Sequence, residues 1–150
     1  MTIEFRRAES NDHAVVVGMM RELYASDDLP FPEAGPAALE VLLREPKLGQ
    51  CRIIFDDQVA VGYFVLGYGF SLEFGGQDAF LDELYVKPDF RGKGIGKRAV
   101  ANATEIARSL GLGALHLEVN SENTVAQRLY RRAGFTPRHA GYDVLTLRLK

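Results

Sequence analysis

The sequence is poor in the residues that build disulfide-bonded and metal-binding proteins. Among 150 residues it has one cysteine, Cys51, three histidines and no tryptophan. One cysteine cannot form a disulfide within the chain, and no histidines and cysteines stand at the spacing of metal ligands. No uncharged stretch is long enough to cross a bilayer, and the first residues lack the apolar run of a signal peptide. We therefore expect a cytoplasmic protein with neither a metal nor a membrane partner.

The chain also lacks an excess of charge of either sign. Its 18 basic and 20 acidic side chains leave a formal net charge of −2, which gives no reason to expect binding to nucleic acid. A hydrophobic fraction of 47% and a charged fraction of 25% are typical of a globular protein. Because 150 residues can bury one core but are too few for two ordinary domains, we expect residues 1–150 to form a single domain.

Hydrophobic periodicity predicts an alternation of strands and helices. The predicted strands cover 2–7, 51–55, 59–70, 79–86, 115–119 and 142–149. The predicted helices begin after Ser10 and cover about 34–44, 95–110 and 122–133. The segment Asp56-Asp57-Gln58 is predicted to be a hairpin turn between the second and third strands. This order of elements predicts a mixed α/β sheet with helices on both faces.

The most informative motif is the glycine-rich segment Arg91–Lys97, which joins the strand at 79–86 to the following helix. Its three alternate glycines allow tight turns and let an anion approach the backbone N–H groups. The start of the helix adds free N–H donors and the positive end of the helix dipole. Arg91, Lys93 and Lys97 add charges that can meet phosphate oxygens. We expect a diphosphate or oligophosphate group to bind here.

Other interpretations of this segment are less satisfactory. A P-loop requires a hydroxyl residue after its lysine to hold Mg²⁺, and Lys97 is followed by Arg98. A dinucleotide-binding fold requires the spacing G-x-G-x-x-G, whereas the glycines here are Gly92, Gly94 and Gly96. Glu118 stands where a ribose-binding acid would. However, too few residues follow it for the second half of that fold. A glycine turn without a ligand is disfavoured by the basic residues at both ends.

Two motifs resemble those of the GNAT-type N-acetyltransferases. The segment Leu84-Tyr85-Val86-x-Pro88 followed by Arg91–Gly96 is similar to the family's acetyl-coenzyme-A motif, Q/R-x-x-G-x-G/A. The segment Asn120–Phe135 resembles its second motif, N-x-x-A-x-x-x-Y-x-x-x-G-F. The resemblance is specific over about 79–136, and residues 1–75 match in layout only. It implies a mixed, mostly antiparallel central sheet with a V-shaped splay between the fourth and fifth strands, and acetyl-CoA as cosubstrate without a metal.

The resemblance also implies how the cosubstrate is held. The pantetheine arm would bind to backbone groups of the fourth strand, as an added strand does, and the amides of 92–97 would bind the pyrophosphate. Asn123 would reach the pantetheine arm, although a role as helix N-cap fits the sequence equally well. The residues expected to bind acetyl-CoA are Leu84, Tyr85, Val86, Arg91, Gly92, Lys93, Gly94, Ile95, Gly96, Lys97, Asn123 and Ala126.

Acetyl transfer to an amine requires a general acid and a base. Tyr130 resembles the family's general acid, which protonates the departing coenzyme A thiolate, and it shares a helix face with Asn123 and Ala126. A tyrosine packed in the core is the alternative. A backbone N–H near Val86 would meet the oxyanion of the tetrahedral intermediate.

An acidic pair in the fourth strand, Asp82 and Glu83, resembles the pair of polyamine-type members. Because adjacent strand residues point to opposite faces, Glu83 is expected to share a face with Leu81 and Tyr85. We expect Glu83 to be the base and Asp82 to contact the substrate, and a local bulge would exchange the two. A solvated acid on an edge strand is the alternative for either residue.

The acceptor is predicted from acidic loops at Ala25–Pro36 and Gly69–Gln77, with Asp27 and Asp28 as substrate contacts that attract a cationic amine. The expected activity is direct acetyl transfer to a primary amine, with a small diamine, polyamine or amino-acid-like amine as acceptor. Acetylation of a peptide or protein at its N-terminus or at lysine, and a non-catalytic acyl-CoA sensor, are alternatives, and a nicotinamide-dependent reductase is a third. A homodimer is expected because family members often pair.

Overall fold

The computed structural model describes all 150 residues and contains one five-stranded sheet with the strand order β1-β2-β3-β4-β5. Each of the first four strands is antiparallel to its neighbour, and β5 is parallel to β4. The sheet is therefore mixed and mostly antiparallel, which confirms the predicted fold class. The strands are Ile3–Arg7 (β1), Gly49–Asp56 (β2), Val59–Ser71 (β3), Gly76–Val86 (β4) and Leu115–His116 (β5).

Helices cover both faces of the sheet. They are His13–Ser26 (α1), Gly35–Arg44 (α2), Ile95–Ser109 (α3) and Thr124–Arg132 (α4). Helices α1 and α2 pack on one face, where the predicted apolar side of α1 is buried against Cys51, Ile53, Tyr63 and Tyr85. Helix α3 packs on the other face, over a core that includes Ile54, Phe64, Leu66 and Leu81, and α4 contacts α3. None of these helices has the length and apolar character needed to cross a membrane.

The turn between β2 and β3 is the predicted hairpin. Asp56 pairs with Val59, so the loop consists of Asp57 and Gln58 alone. Both have left-handed backbones, with φ of 48° and 72°. Positive φ at both central residues defines a type I′ turn, whose twist matches that of the flanking strands. The prediction at 56–58 is confirmed.

A β-bulge interrupts β4 at Asp82. Val65 of β3 pairs with Glu83, and the next residue, Leu66, pairs with Leu81, so Asp82 has no partner. An extra residue reverses the alternation of side chains beyond it. Leu81 consequently joins the core under α3, whereas Tyr85 joins the core under α1. The prediction that Glu83 and Tyr85 share a face with Leu81 is therefore wrong for Leu81.

Strands β4 and β5 separate after two residue pairs. Only Ala79 with Leu115 and Phe80 with His116 are paired, although β4 continues to Val86. Beyond this point residues 117–119 form no main-chain hydrogen bond within the chain. The divergence leaves one edge of β4 open and confirms the splay predicted between the fourth and fifth strands.

The last predicted strand, 142–149, is wrong. Residues 133–150 contain no helix or strand, and the side chains from 136 onward are exposed. The alternating apolar residues of this segment suit a strand, but a strand needs a neighbour to receive its hydrogen bonds. Residues 143–149 form no main-chain hydrogen bond in this structure. The predicted strand at 115–119 is likewise shortened to Leu115–His116.

Candidate active site

The glycine-rich loop before α3 presents unpaired backbone donors. Gly92 and Gly94 have left-handed φ of 76° and 82°, and Gly94 is the N-cap of α3. The first main-chain bond of the helix runs from Arg98 N–H to Gly94 C=O at 3.1 Å, and none of the N–H groups of residues 92–97 donates to an acceptor in the protein. A helix N-terminus with a row of free N–H groups is a binding site for an anion.

The basic side chains around this loop form no ion pair with an acid. Arg91 Nε donates to the Val86 carbonyl at 2.8 Å, and its guanidinium lies 5.6 Å from the centre of the Tyr85 ring. Lys93 Nζ lies 5.4 Å from the ring centre of Phe90, and Lys97 is exposed. The remaining guanidinium donors of Arg91 and both ammonium groups are free to meet phosphate oxygens.

The open edge of β4 starts at this loop. Alternate residues of a strand direct their backbone groups to opposite edges. Lys87 N–H bonds to Val61 C=O of β3 at 2.8 Å, so Tyr85, two residues earlier, also directs its backbone groups to β3. The backbone groups facing the open edge are therefore those of Leu84 and Val86. Of the three residues expected to bind the pantetheine arm through their backbone, only these two have groups available.

Helix α4 and its N-cap carry three of the predicted residues, Asn123, Ala126 and Tyr130. Asn123 is its N-cap, with Oδ1 accepting from Ala126 N–H at 3.0 Å. Its amide nitrogen makes no bond, so capping leaves that donor free. Tyr130 packs edge-on against Phe135, with ring centres 6.0 Å apart, and its hydroxyl has no hydrogen bond within the chain. Burial, and secondarily the charge of Asp27, raises the pKa of Tyr130, so the phenol remains protonated at neutral pH.

Glu83 is held by two tyrosines on the other face of the sheet. Tyr24 of α1 donates to Oε2 and Tyr63 of β3 donates to Oε1, each at 2.7 Å. Burial and the Glu83 carboxylate raise the pKa of both phenols, so both remain donors. Sequence reasoning missed Tyr24 and Tyr63, because no motif contains them and their contacts with Glu83 span 59 and 20 residues.

Glu83 and Asp82 line the same cavity. It has a volume of about 380 Å³ and lies between α1, α2 and strands β3 and β4. Most of its wall is apolar, including Val16, Met20 and Leu39. The bulge at Asp82 brings both acids to this cavity, whereas regular alternation would have placed them on opposite faces. An apolar chamber with two carboxylates suits a cation on an alkyl chain.

The predicted acidic loops contribute less than expected. Asp27 is the C-cap of α1, and its charge contributes to the raised pKa of both Tyr24 and Tyr130, but it is not part of the cavity wall. Asp28 is exposed and is not part of the cavity wall. In the second loop, Glu73 is paired with Arg138 and His139, and the hydrogen bond from His139 is the main cause that lowers its pKa.

The buried thiol of Cys51 is not part of this chemistry. Burial, with the nearby Glu83 carboxylate, raises its pKa from 9.0 to about 12. A thiol of this kind is not ionised at neutral pH and is therefore a poor nucleophile. Cys51 is fully buried in the core between the sheet and α1, as expected of a small apolar residue.

Two thialysine N-epsilon-acetyltransferases are similar to this chain in sequence. The thialysine N-epsilon-acetyltransferase of Bos taurus is 35% identical over 74 residues, which are 49% of this chain and 43% of that protein. The corresponding enzyme of Mus musculus is 28% identical over 141 residues, 86% of this chain and 81% of its own. The match to the bovine relative thus spans less than half of that protein.

An integron cassette protein from the mobile metagenome of Cole Harbour Salt Marsh has the same fold. It superposes with a TM-score of 0.84 at 35% identity, covering 97% of this chain and 90% of that one. The acetyltransferase (GNAT) family model matches residues 17–135, from α1 through the glycine-rich loop and α4. With both motifs and the splayed sheet inside the matched range, this chain belongs to the GNAT acetyltransferase family.

Proposed function

We propose that this protein transfers the acetyl group of acetyl-CoA to the primary amine of a small molecule whose amine is carried on an alkyl chain. The observation that carries the proposal is the Glu83 carboxylate, fixed by two phenols at the end of an apolar cavity. Diamines, polyamines and amino-acid-like amines have the required charge and alkyl portion. Two of the relatives are named for acetylating thialysine at its ε nitrogen, which belongs to this class.

The residues present fit acetyl-CoA, the acetyl donor of GNAT acetyltransferases. Six unpaired amides and the charges of Arg91, Lys93 and Lys97 suit its phosphates. The open edge of β4 offers the backbone groups of Leu84 to the amides of the pantetheine arm, as in strand addition, while the Val86 carbonyl accepts from Arg91 Nε. The N–H group of Val86 also faces this edge, where it can donate to the oxyanion that forms during attack.

Glu83 has the geometry to receive the amine proton. At neutral pH an alkylamine with a pKa near 10.4 costs about 4–5 kcal/mol to deprotonate, so an acceptor for the proton is needed. Each Glu83 oxygen accepts one phenol O–H and keeps a lone pair for an amine or a bridging water. Asp82, at the more exposed side of the cavity, is placed to attract the ammonium form or a second amine.

Tyr130 is assigned as the acid that protonates the departing thiolate. Its phenol is neutral at physiological pH, packs at the edge of the core under α3 and is not committed to a hydrogen bond within the protein. A cavity of about 380 Å³ has the size of a small acceptor, which favours such a molecule over a peptide or a protein lysine.

Thiol release tests the proposal directly. The protein is incubated with acetyl-CoA and a panel of diamines, polyamines, lysine, thialysine, aminoglycosides and peptides, and free coenzyme A is measured. We expect turnover with short alkylamines. Glu83→Gln and Tyr130→Phe should lower kcat by a factor of about 10²–10⁴ with the Kd of acetyl-CoA unchanged. Glu40→Gln, an exposed acid on α2 outside the cavity wall, is the matched control.

Two outcomes would reject the proposal. Saturable binding of acetyl-CoA without turnover of any amine would indicate an acyl-CoA sensor. Turnover confined to peptides would indicate a peptide or protein acetyltransferase, and the cavity would then have another role.

A further inference from the structure

A second cavity lies on the α3 side of the sheet, and no step of the proposed reaction uses it. It has a volume of about 410 Å³. Tyr68 in its wall packs against the core under α3, whereas the neighbouring residue Gly67 lines the cavity that contains Glu83. The two cavities therefore lie on opposite faces of β3. The wall of the second cavity consists of Pro46, Lys47, Tyr68, Gln77, Leu110 and Leu112.

A chain of hydrogen bonds leads along the sheet to Tyr68. Arg52 Nε donates to Gln50 Oε1 at 2.8 Å, and Gln50 Nε2 donates to the Tyr68 hydroxyl oxygen at 2.8 Å. A guanidinium has donors only, so it takes the amide oxygen of Gln50 and leaves the amide nitrogen for Tyr68. Gln50 is only 5% exposed. The direction of the chain, from the guanidinium to the phenol, is thus fixed by the chemistry of its members.

This chain ends in a donor that lacks an acceptor. The Tyr68 hydroxyl oxygen accepts the hydrogen bond from Gln50, and the hydroxyl proton has no acceptor within the chain. Successive hydrogen bonds that run in one direction polarise one another. The positive charge of Arg52 therefore strengthens the Tyr68 O–H as a donor to an acceptor in the cavity.

The wall of the cavity carries positive charge and no negative charge. Lys47 is exposed and forms no ion pair, and Gln77 adds an exposed amide. None of the six wall residues is an acid. At the end of α3, the N–H groups of residues 110–112 bond to carbonyls of residues 106–108. These carbonyls are therefore already paired, and the cavity offers an anion an ammonium group and a hydroxyl donor.

The remaining wall residues select the rest of the ligand. Pro46, Leu110 and Leu112 are apolar and suit a hydrocarbon group. One lysine in the wall matches a single negative charge, whereas phosphate groups are typically bound by several basic side chains or a row of backbone N–H groups. We propose that this cavity binds a small monocarboxylate with a short apolar tail. The inference is independent of acetyl transfer and of the acceptor.

Titration with sodium hexanoate, followed by amide chemical shifts in nuclear magnetic resonance spectra, tests the proposal. The signals of Lys47, Tyr68, Gln77 and Leu112 should shift and saturate. Hexanamide has nearly the same shape without the charge, and it should bind at least about fivefold more weakly. Shifts confined to the glycine-rich loop would overturn the proposal, and so would equal binding of hexanoate and hexanamide.

Three variants identify the groups that hold the carboxylate. Tyr68→Phe removes the last donor of the chain and should raise the Kd of hexanoate about tenfold or more. Lys47→Gln removes an exposed charge and should raise the Kd about two- to fivefold. Because Lys47 is exposed, its variant tests the site even if Tyr68→Phe folds poorly. Lys150→Gln, which removes the same charge outside the cavity, is the matched control and should bind normally. An equal Kd for all of these chains, or an equal loss in Lys150→Gln and Lys47→Gln, would overturn the proposal.

Discussion

Replacement of Tyr63 by phenylalanine tests whether the two phenols hold the base in place. Tyr63 is fully buried and donates to Glu83 at 2.7 Å. The variant removes one oxygen and keeps the ring, so packing changes little. A hydrogen bond to an ionised group contributes about 1.5–3 kcal/mol. We therefore expect the free energy of unfolding, measured by urea denaturation, to fall by about this amount.

The contribution of the Glu83 charge to the cost of Tyr63→Phe can be measured separately. A bond to a neutral acceptor contributes about 0.5–1.5 kcal/mol, so Tyr63→Phe should cost about half as much in a Glu83→Gln background. Tyr85→Phe is the control for stability, because Tyr85 is similarly buried and its hydroxyl has no partner in the chain. The reasoning is refuted if Tyr63→Phe costs no more than Tyr85→Phe.

The same replacement should also affect catalysis selectively. With one of its two anchors lost, the Glu83 carboxylate samples more orientations, and kcat/KM for the amine should fall. The Kd of acetyl-CoA should not change, since Tyr63 lies in the core under α1, whereas the glycine-rich loop leads into α3 on the other face of the sheet. A parallel loss of coenzyme binding would show that Tyr63 acts through the whole fold instead.

Three further predictions concern the thiol, the loop and the helix cap. The folded chain keeps the Cys51 proton up to about pH 12, whereas the unfolded chain releases it near 9.0. The free energy of unfolding should therefore fall by about 1 kcal/mol between pH 9 and 10. Urea titrations of Cys51→Ala should not show this dependence on pH. Gly94→Ala places a side chain at φ of 82°, which costs about 1–2 kcal/mol. Calorimetry should therefore show that this variant binds acetyl-CoA more weakly. Gly18→Ala, on the exposed side of α1, should bind acetyl-CoA normally. Asn123→Ala should lower stability by about 0.5–2 kcal/mol, and Asn123→Asp should preserve it, as judged by thermal unfolding.

Local patterns predicted the features that depend on neighbours in sequence. Gly92 and Gly94 take the left-handed backbone that alternate glycines favour, and Asn123 caps the helix that follows it. The apolar face of α1 follows from helical spacing alone. These features are fixed by the chemistry of a few adjacent residues, so the sequence was sufficient to predict them.

Features that depend on distant partners were not predictable in the same way. The bulge at Asp82 is set by how β4 aligns with β3, and it decides that both acids face one cavity. The bonds of Tyr24 and Tyr63 to Glu83 exist only after α1 and β3 have packed together. The segment 142–149 has strand periodicity, but whether it pairs depends on a partner far away in sequence, and it forms no strand in this structure.

The proposed acceptor cavity and the glycine-rich loop are built by different helices. The cavity is lined by residues of α1 and α2 together with β3 and β4, whereas the glycine-rich loop leads into α3 on the other face of the sheet. Substitutions in α1 and α2 can change which amines enter the cavity without altering the glycine-rich loop. New acceptor preferences can thus arise on this scaffold through changes in the first half of the chain alone, with the donor chemistry inherited intact.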